Sequence, residues 1–204
     1  MIKYAVFDWD GTLADTYPVL YTAYCATARQ VGMPEPSYES IKIVTGTVQN
    51  KNVMQTLFKD KADQASAFFY RYIENNHVKN LKMIDGAPEL LNFCTINHIV
   101  PLLLTNKKQK YLVEELKHFN LQNYFKTIVS AGTYKEDKPH PIACKALFGG
   151  KIPPHHEIIV IGDGASDAKV AQVFSAKSII LGNHAKGDYN IQKLTEAMDI
   201  IKGN

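Results

Sequence analysis

The sequence of 204 residues has little cysteine, a single tryptophan and no long apolar run. Its three cysteines, Cys25, Cys94 and Cys144, lie far apart and form no CxxC pair. This pattern argues against a disulfide framework and a zinc site, and it favours reduced thiols. The first apolar run is broken at Asp8, too early for a signal peptide, and no later run is long enough to span a bilayer. We therefore expect a cytoplasmic protein with no membrane partner.

The sequence also lacks a concentrated basic patch. Its 23 Lys and Arg residues are scattered among 20 Asp and Glu residues, for a formal net charge of +3. Without a basic stripe and interleaved aromatic residues, nucleic acid is not an expected partner. Apolar residues make up 46% of the chain, which is enough to bury a sizeable core. The length suits one large domain, or a domain that carries a smaller insert.

Short apolar runs alternate with segments of helical period through much of the chain. The runs are continuous and rich in β-branched residues, which is typical of strands covered on both faces. The predicted strands span residues 4–7, 99–104, 127–129, 158–161 and 178–181. The predicted helices between and after them span residues 87–96, 107–119, 141–147, 167–174 and 191–200. This alternation predicts an α/β fold with a mostly parallel, Rossmann-like sheet.

One long segment does not follow the alternation. Residues 16–83 contain no convincing strand, and their turn signals separate four helical blocks. These blocks span residues 18–31, 38–45, 50–58 and 62–77. We predict a helical domain over 16–83, inserted after the first strand, and a core formed by 1–15 and 84–204.

Polar side chains follow the predicted strands. They are four carboxylates, a hydroxyl, an amide and an ammonium group: Asp8, Asp10, Thr105, Asn106, Lys138, Asp163 and Asp167. Ligands of open parallel sheets bind beyond the carboxyl ends of the strands, so we expect these groups to lie near one another. Carboxylates suit Mg²⁺, whereas a lysine, a threonine hydroxyl and backbone N–H groups suit a phosphoryl group.

Each motif taken alone also has an ordinary structural interpretation. A lone Asp-Gly pair is often a turn, and Thr105 is well placed to cap a helix. Lys138 could be a solvated loop residue, and Asp163 and Asp167 could cap the helix that follows them. The functional interpretation therefore depends on the motifs occurring together and in order.

In combination, the motifs resemble those of the haloacid dehalogenase-like phosphatases. These motifs are DxDGT after the first strand, a Thr after the second, a Lys-Pro pair, and GDGxxD after a later strand. The resemblance covers the whole chain, because the helical insert lies where that family carries its type-1 cap domain. The segment "LLLTNK" at 102–107 and the size of the insert look most like the phosphoglycolate phosphatase branch.

The resemblance implies a division of roles among the acidic residues. Asp8 would be the nucleophile that forms an aspartyl-phosphate, and Asp10 would exchange the proton with the leaving alcohol and the hydrolytic water. Mg²⁺ would be held by the Asp8 carboxylate, the Asp10 carbonyl and Asp163. Asp167 would either orient Lys138 or hold a metal-bound water.

The remaining implied roles concern the phosphate and the turn after Asp10. Lys138 would add positive charge, Thr105 would donate its hydroxyl, and Asn106 would donate its backbone N–H to the phosphate. Gly11 would let the chain turn without a Cβ obstructing the ligand.

The sequence identifies the substrate only by class. In the helical insert, Thr47 and Asn50 are candidate substrate contacts. A solvated connection between two helices is an equally good interpretation of their segment. We expect a magnesium-dependent phosphatase that hydrolyses a small phosphorylated metabolite resembling phosphoglycolate. The oligomeric state has no sequence signal.

Other functions have weaker support. A β-phosphoglucomutase-like phosphotransferase shares the core motifs, but that branch has a His soon after its Asp-Thr pair, and no His occurs here before His77. Dehalogenase chemistry needs no acid at the position of Asp10. A non-catalytic scaffold is the third alternative, and the intact set of motif residues argues against it.

Overall fold

The computed structural model describes residues 1–47 and 52–203, and the chain divides into two compact units. The first unit comprises Met1–Asp15 and Lys82–Asn204, and the second comprises Thr16–Leu81. Residue 83, the predicted end of the insert, lies two residues beyond this division. The difference arises because Lys82–Met83 pairs antiparallel with Ala14–Asp15 within the first unit.

A parallel sheet of six strands forms the centre of the first unit. The strands of the unit, including the separate antiparallel pair β2 and β3, are β1 (Tyr4–Phe7), β2 (Ala14–Asp15), β3 (Lys82–Met83), β4 (Val100–Lys108), β5 (Thr127–Ala131), β6 (Ile158–Gly162), β7 (Lys177–Leu181) and β8 (Tyr189–Ile191). The large sheet has the order β5-β4-β1-β6-β7-β8, and every pairing in it is parallel. The predicted α/β fold with a parallel sheet is therefore confirmed.

The strand order reverses direction at β1. Successive strands are added on one side of β1 as β4 and β5, and then on its other side as β6, β7 and β8. Such a reversal opens a crevice at the carboxyl ends of the strands, where ligands of doubly wound sheets bind. Both faces of β1 are buried, with Val6 and Phe7 fully inaccessible, as its continuous apolar sequence predicts.

The helices of the first unit cover the sheet. They are α5 (Ala87–Ile96), α6 (Gln109–His118), α7 (Pro141–Ala146), α8 (Ala165–Phe174) and α9 (Glu196–Lys202), in a chain-wide numbering in which α1–α4 belong to the second unit. One core cluster joins Val6, Leu102 and Val160 of the central strands to residues of α7 and α8. The sequence did not predict strand β8. Helix α9 begins at Glu196, five residues after the predicted start at 191.

The second unit is helical in its described part. Its helices are α1 (Tyr17–Gln30), α2 (Tyr38–Thr47), α3 (Val53–Phe58) and α4 (Ala62–Asn76), with a 3₁₀ turn at Lys59–Lys61. The ring of Tyr24 stacks on that of Phe69 at 4.5 Å and lies 6.5 Å from that of Phe58. All three side chains are buried, so this aromatic cluster forms the core between α1, α3 and α4.

None of the helices over 1–47 and 52–203 has the length and apolar character needed to cross a membrane.

Candidate active site

The carboxyl ends of β1, β4 and β6 bring three of the sequence motifs to one edge of the sheet. Asp8 directly follows β1, and its N–H donates to the carbonyl of Ile161 at 2.9 Å, so the chain continues alongside β6. Thr105 and Asn106 lie within the last part of β4, and Asp163 directly follows β6. The parallel pairing of β1 with both β4 and β6 is the reason that these residues meet.

Lys138 lies between two of the predicted carboxylates. Its Nζ is 2.5 Å from Asp8 Oδ1 and 2.8 Å from Asp167 Oδ1. All three side chains are buried, with 3% of the Lys138 side chain exposed. The loop that carries Lys138 is closed by the Asp137 carboxylate, which accepts the Gly132 N–H at 2.8 Å. The sequence placed these groups at one edge, and the structure brings them into direct contact.

Asp167 has two sets of partners. Besides accepting from Lys138, it accepts the Gly164 N–H at 3.1 Å through Oδ2, in the first turn of α8. It therefore caps the helix and orients the lysine at the same time. These contacts agree with a helix cap and with a partner of Lys138, and whether Asp167 orients the lysine or holds a metal-bound water in the reaction stays a prediction.

Three carboxylates form a group with the spacing of a cation site. Asp8, Asp163 and Asp167 each offer an oxygen, and these oxygens lie within 4.8 Å of one another. The predicted metal set named Asp8, Asp10 and Asp163, with Asp10 contributing its carbonyl. The Asp10 side chain lies apart from this group and is paired with Lys107 instead. Asp163 accepts no hydrogen bond from any residue that the structure describes at 1–47 and 52–203.

The pKa values of Asp163, Asp8 and Lys138 reflect burial and the charges around them. Burial raises the pKa of Asp163 to about 8, and the charges of Asp8 and Asp167 add to the rise. Burial also raises the pKa of Asp8, while contact with Lys138 offsets part of the rise. The pKa of Lys138 is raised: burial lowers it, but the carboxylates of Asp167 and Asp8 more than compensate. Lys138 therefore stays positively charged, and its single charge is smaller than the combined negative charge of the three ionised carboxylates.

The donor set fits a magnesium ion. Carboxylate oxygens are the hard ligands that Mg²⁺ prefers, and three carboxylates lie together here while one ammonium group contacts two of them. A divalent cation would remove the excess negative charge that raises these pKa values. The fit rests on donor chemistry and charge.

Gly11 and Gly162 make room for the acidic side chains. A Cβ on Gly11 would lie 2.2 Å from Asp163 Oδ2, and Gly11 has φ +75°, which favours glycine. A Cβ on Gly162 would lie 2.1 Å from Asp167 Cγ. Sequence reasoning assigned Gly11 to the turn but did not identify Gly162, although the Gly-Asp-Gly motif contains it.

Thr105 and Asn106 occupy the end of β4. The Thr105 side chain is buried, and its Oγ1 accepts the Lys107 N–H at 3.1 Å. It does not cap a helix, because β4 continues to Lys108 and α6 begins at Gln109. The Asn106 amide donates to the Lys138 carbonyl at 3.1 Å, so it connects β4 to the loop of the lysine.

The structure adds three side chains that sequence reasoning did not assign to the site. Lys107 Nζ lies 2.7 Å from Asp10 Oδ1 and 3.0 Å from Glu115 Oε1. The Trp9 indole N–H donates to Glu115 Oε2 at 2.6 Å. Burial lowers the pKa of Lys107, but the nearby carboxylates of Asp10 and Glu115 raise it by more. The pKa of Lys107 is therefore higher than its ordinary value. Glu115 had a sequence signal, since helical spacing places it on the same face of α6 as the apolar Leu112 and Leu116.

The two candidate substrate contacts of the helical insert are not located by the structure. Thr47 is the last residue of α2, and its side chain is not described. Asn50 lies outside the described residues.

The sequence is similar to a known protein family and to named proteins. Residues 5–181 match the family model described as haloacid dehalogenase-like hydrolase. A Thiobacillus denitrificans protein named phosphoglycolate phosphatase is 31% identical, over 84% of this chain and 79% of its own length.

Two solved structures have the same fold. One from Haemophilus somnus, named as a predicted phosphoglycolate phosphatase, has a TM-score of 0.85 at 20% identity and covers 98% of both chains. One from Thermotoga maritima, named for β-phosphoglucomutase, has a TM-score of 0.78 at 22% identity and covers 99% of both chains. At these identities they support the fold alone. The family model spans most of the sequence, and this chain therefore belongs to the haloacid dehalogenase-like hydrolase family.

Proposed function

We propose that this chain is a phosphatase that hydrolyses small phosphomonoesters through an aspartyl-phosphate on Asp8. The observation that carries the proposal is the buried Asp8 carboxylate, held 2.5 Å from the Lys138 ammonium group and grouped with Asp163 at the crevice of the sheet. The relatives named phosphoglycolate phosphatase support the same reaction class.

In the first step, a carboxylate oxygen of Asp8 attacks phosphorus while the ester P–O bond breaks. Lys138 orients Asp8 and partly neutralises the charge that two anions bring together. Asp167 keeps the lysine in place through its 2.8 Å contact. The electron pair of the broken bond leaves on the alcohol oxygen, which needs a proton.

Asp10, which enters this step as the protonated acid, supplies that proton in the proposed reaction. Its carboxyl group lies outside the three-carboxylate group and its side chain is 36% exposed, so it is accessible to a leaving group and to water. In the second step, Asp10 takes a proton from the water that attacks the aspartyl-phosphate, which releases inorganic phosphate and restores Asp8.

Mg²⁺ would be held by the Asp8 carboxylate, the Asp10 carbonyl and Asp163, and it would supply the positive charge that lets a carboxylate approach an anionic phosphate. On the protein side, we assign phosphate binding to the Thr105 hydroxyl, the Asn106 backbone N–H and Lys138. Thr105 is buried at the end of β4, and the Asn106 side chain is tied to the Lys138 carbonyl, which fixes these donors relative to each other.

We infer that the substrate resembles phosphoglycolate and that Thr16–Leu81 acts as the cap that selects it. This inference is supported by the names of the relatives and by the insertion of the helical unit between β2 and β3. Thr47 and Asn50 remain the proposed substrate contacts. A cytoplasmic location remains a prediction, in agreement with three cysteines that are free and buried.

The test is phosphate release from p-nitrophenyl phosphate with and without Mg²⁺. We expect turnover that depends on the metal, and in Asp8→Asn a loss of about 1,000-fold or more with little change in thermal melting. Asp199→Asn is the control, because its side chain is 85% exposed. Wild-type protein without metal-dependent turnover would refute the proposal.

A second assay separates the alternatives for the reaction. We expect 2-phosphoglycolate to be hydrolysed best in a panel of phosphorylated metabolites. Conversion of β-glucose 1-phosphate in the presence of glucose 1,6-bisphosphate, without net phosphate release, would instead identify a mutase.

A further inference from the structure

Three side chains connect the proposed proton donor, Asp10, to the interior of the first unit. Asp10, Lys107, Glu115 and Trp9 form a continuous series of contacts, which we name the Lys107 bridge. Its three distances are 2.7 Å, 3.0 Å and 2.6 Å in that order. The members come from β1's end, β4 and α6, so the bridge joins three elements.

The bridge is anchored at its inner end. Glu115 is 1% exposed and Trp9 is fully inaccessible. A buried carboxylate without a cation costs several kcal/mol, and Glu115 avoids this cost by pairing with Lys107 and accepting the indole N–H. Lys107 is therefore fixed by its inner partner, and the position of Nζ in turn fixes Asp10 Oδ1.

Trp9 has a second consequence for the site. It lies between Asp8 and Asp10 in the sequence. Its hydrogen bond to Glu115 therefore restricts the backbone positions of both neighbours. One buried carboxylate on α6 thus holds the segment that carries the nucleophile and, through Lys107, the side chain of the proton donor.

Direct binding of the substrate phosphate is the competing role for Lys107. The location of Nζ argues against it, because its partners are Asp10 and Glu115, which lie outside the three-carboxylate group that contains Asp8. Lys138, in contrast, lies between the residues of the three-carboxylate group itself.

We propose that Lys107 and Glu115 are positioning residues that hold the Asp10 carboxyl group where it can protonate the leaving alcohol. This role rests on the proposed phosphatase function. It predicts a dependence on the leaving group, since an alkoxide must be protonated as it departs, whereas nitrophenolate departs readily without a proton.

The test compares β-glycerophosphate with p-nitrophenyl phosphate in the full chain with Mg²⁺. For Lys107→Met we expect kcat to fall about 100-fold with β-glycerophosphate and no more than about 3-fold with p-nitrophenyl phosphate. KM should stay nearly unchanged for both substrates. Lys117→Met, which removes an exposed lysine from the last turn of α6, is the matched control and should change neither value.

A double variant separates an effect on catalysis from an effect on folding. Lys107→Met removes a cationic partner of the buried Glu115, and Lys107→Met with Glu115→Gln removes both charges while Gln still accepts the indole N–H. We expect the double variant to melt close to wild type and to show the same selective loss with β-glycerophosphate. Equal losses with both substrates, or a rise of KM at constant kcat, would overturn the positioning role.

A spectroscopic measurement tests the anchor without any activity. Trp9 is the sole tryptophan, and Glu115→Gln should shift its emission, because the indole N–H then donates to a neutral amide. The matched variant Glu114→Gln, on an exposed neighbour, should leave the emission unchanged. Unchanged emission in Glu115→Gln would overturn the anchor.

The outcomes distinguish this inference from the proposed function. If wild-type protein hydrolyses neither substrate, the proposed phosphatase function fails and the positioning role fails with it. If wild-type protein hydrolyses both and Lys107→Met shows no leaving-group dependence, the phosphatase function stands and the positioning role alone is rejected.

Discussion

At the scale of single residues, the space left by two missing side chains decides the geometry of the acidic group. Gly11 admits the Asp163 carboxylate, and Gly162 admits the Asp167 side chain. In the space beside Gly162, the Asp167 side chain places its Oδ1 2.8 Å from Lys138 Nζ. A glycine without any chemistry of its own therefore controls the orientation of the lysine that contacts Asp8.

Gly162→Ala should disrupt this arrangement. The new methyl group would lie 2.1 Å from Asp167 Cγ, so the Asp167 side chain must move away from Lys138. We expect phosphatase turnover to fall about 100-fold and the free energy of unfolding to fall by about 1–3 kcal/mol. Steady-state kinetics and thermal melting measure both effects.

Gly203→Ala is the control for this substitution. Its Cβ would meet backbone atoms at 3.6 and 3.7 Å, which are ordinary contacts. If Gly162→Ala kept wild-type turnover while folding normally, the orientation of Lys138 by Asp167 would not matter for the reaction.

At the scale of elements, the edge strand β8 is held by a side chain rather than by its own apolar sequence. The Asp188 carboxylate accepts the Ser178 N–H at 2.8 Å and the Ser178 hydroxyl at 2.7 Å. Asn190 donates to the Gly182 and Ala185 carbonyls. These contacts fix a strand of three residues whose sequence contains too few apolar residues to predict it.

Asp188→Ala should loosen this end of the sheet. It leaves the N–H and hydroxyl of the buried Ser178 without their acceptor, so we expect a loss of about 1–3 kcal/mol in the free energy of unfolding, measured by denaturant titration. The Asp199→Ala control removes an exposed carboxylate and should cost less than about 0.5 kcal/mol.

The effect of Asp188 should depend on pH. The hydrogen bonds from Ser178 lower the pKa of Asp188 in the folded chain. Its stabilisation is therefore present above the ordinary aspartate pKa and is lost as pH falls through the lower folded value. A difference between wild type and Asp188→Ala that stayed constant into strong acid would contradict this contribution.

At the scale of the whole molecule, the active site concentrates negative charge. Five carboxylates, Asp8, Asp10, Glu115, Asp163 and Asp167, face two ammonium groups, Lys107 and Lys138. The global stability of the metal-free protein should therefore depend on the protonation of Asp8 and Asp163, whose pKa values are raised by burial, and a divalent cation should counteract the repulsion.

The raised pKa of Asp163 determines whether stability rises or falls with pH. Its folded pKa is raised to about 8, so the folded chain holds the proton more tightly than the unfolded chain. The resulting stabilisation is present below the unfolded pKa and is lost as pH rises through about 8. We expect the melting temperature of Asp163→Asn, measured in EDTA, to lose this part of the pH dependence that wild type shows.

Magnesium should act in the opposite direction. Because a metal competes with protons for its ligands, the rise in melting temperature on adding Mg²⁺ should be larger at about pH 9 than at about pH 5. Asp163→Asn should show a smaller rise at both values. An equal Mg²⁺ effect in wild type and Asp163→Asn would indicate that the cation binds elsewhere.

Local sequence patterns were enough to predict the fold class and the types of side chain at the site. Continuous apolar runs predicted β1 and the buried parts of β4, β5, β6 and β7, because a strand covered on both faces needs no polar side chains. The residues after those strands identified the carboxylates, the threonine and the lysine. These are local signals, read over a few neighbouring residues.

The contacts that hold those groups in place join segments that are far apart in the sequence. Trp9 and Glu115 are 106 residues apart in sequence, and Asp10 and Lys107 are 97 apart. Neither separation is encoded in the period of a helix or strand, so the Lys107 bridge could not be inferred from pattern. The short strands β2, β3 and β8 escaped prediction for the same reason, because pairing and side-chain hydrogen bonds from distant segments stabilise them.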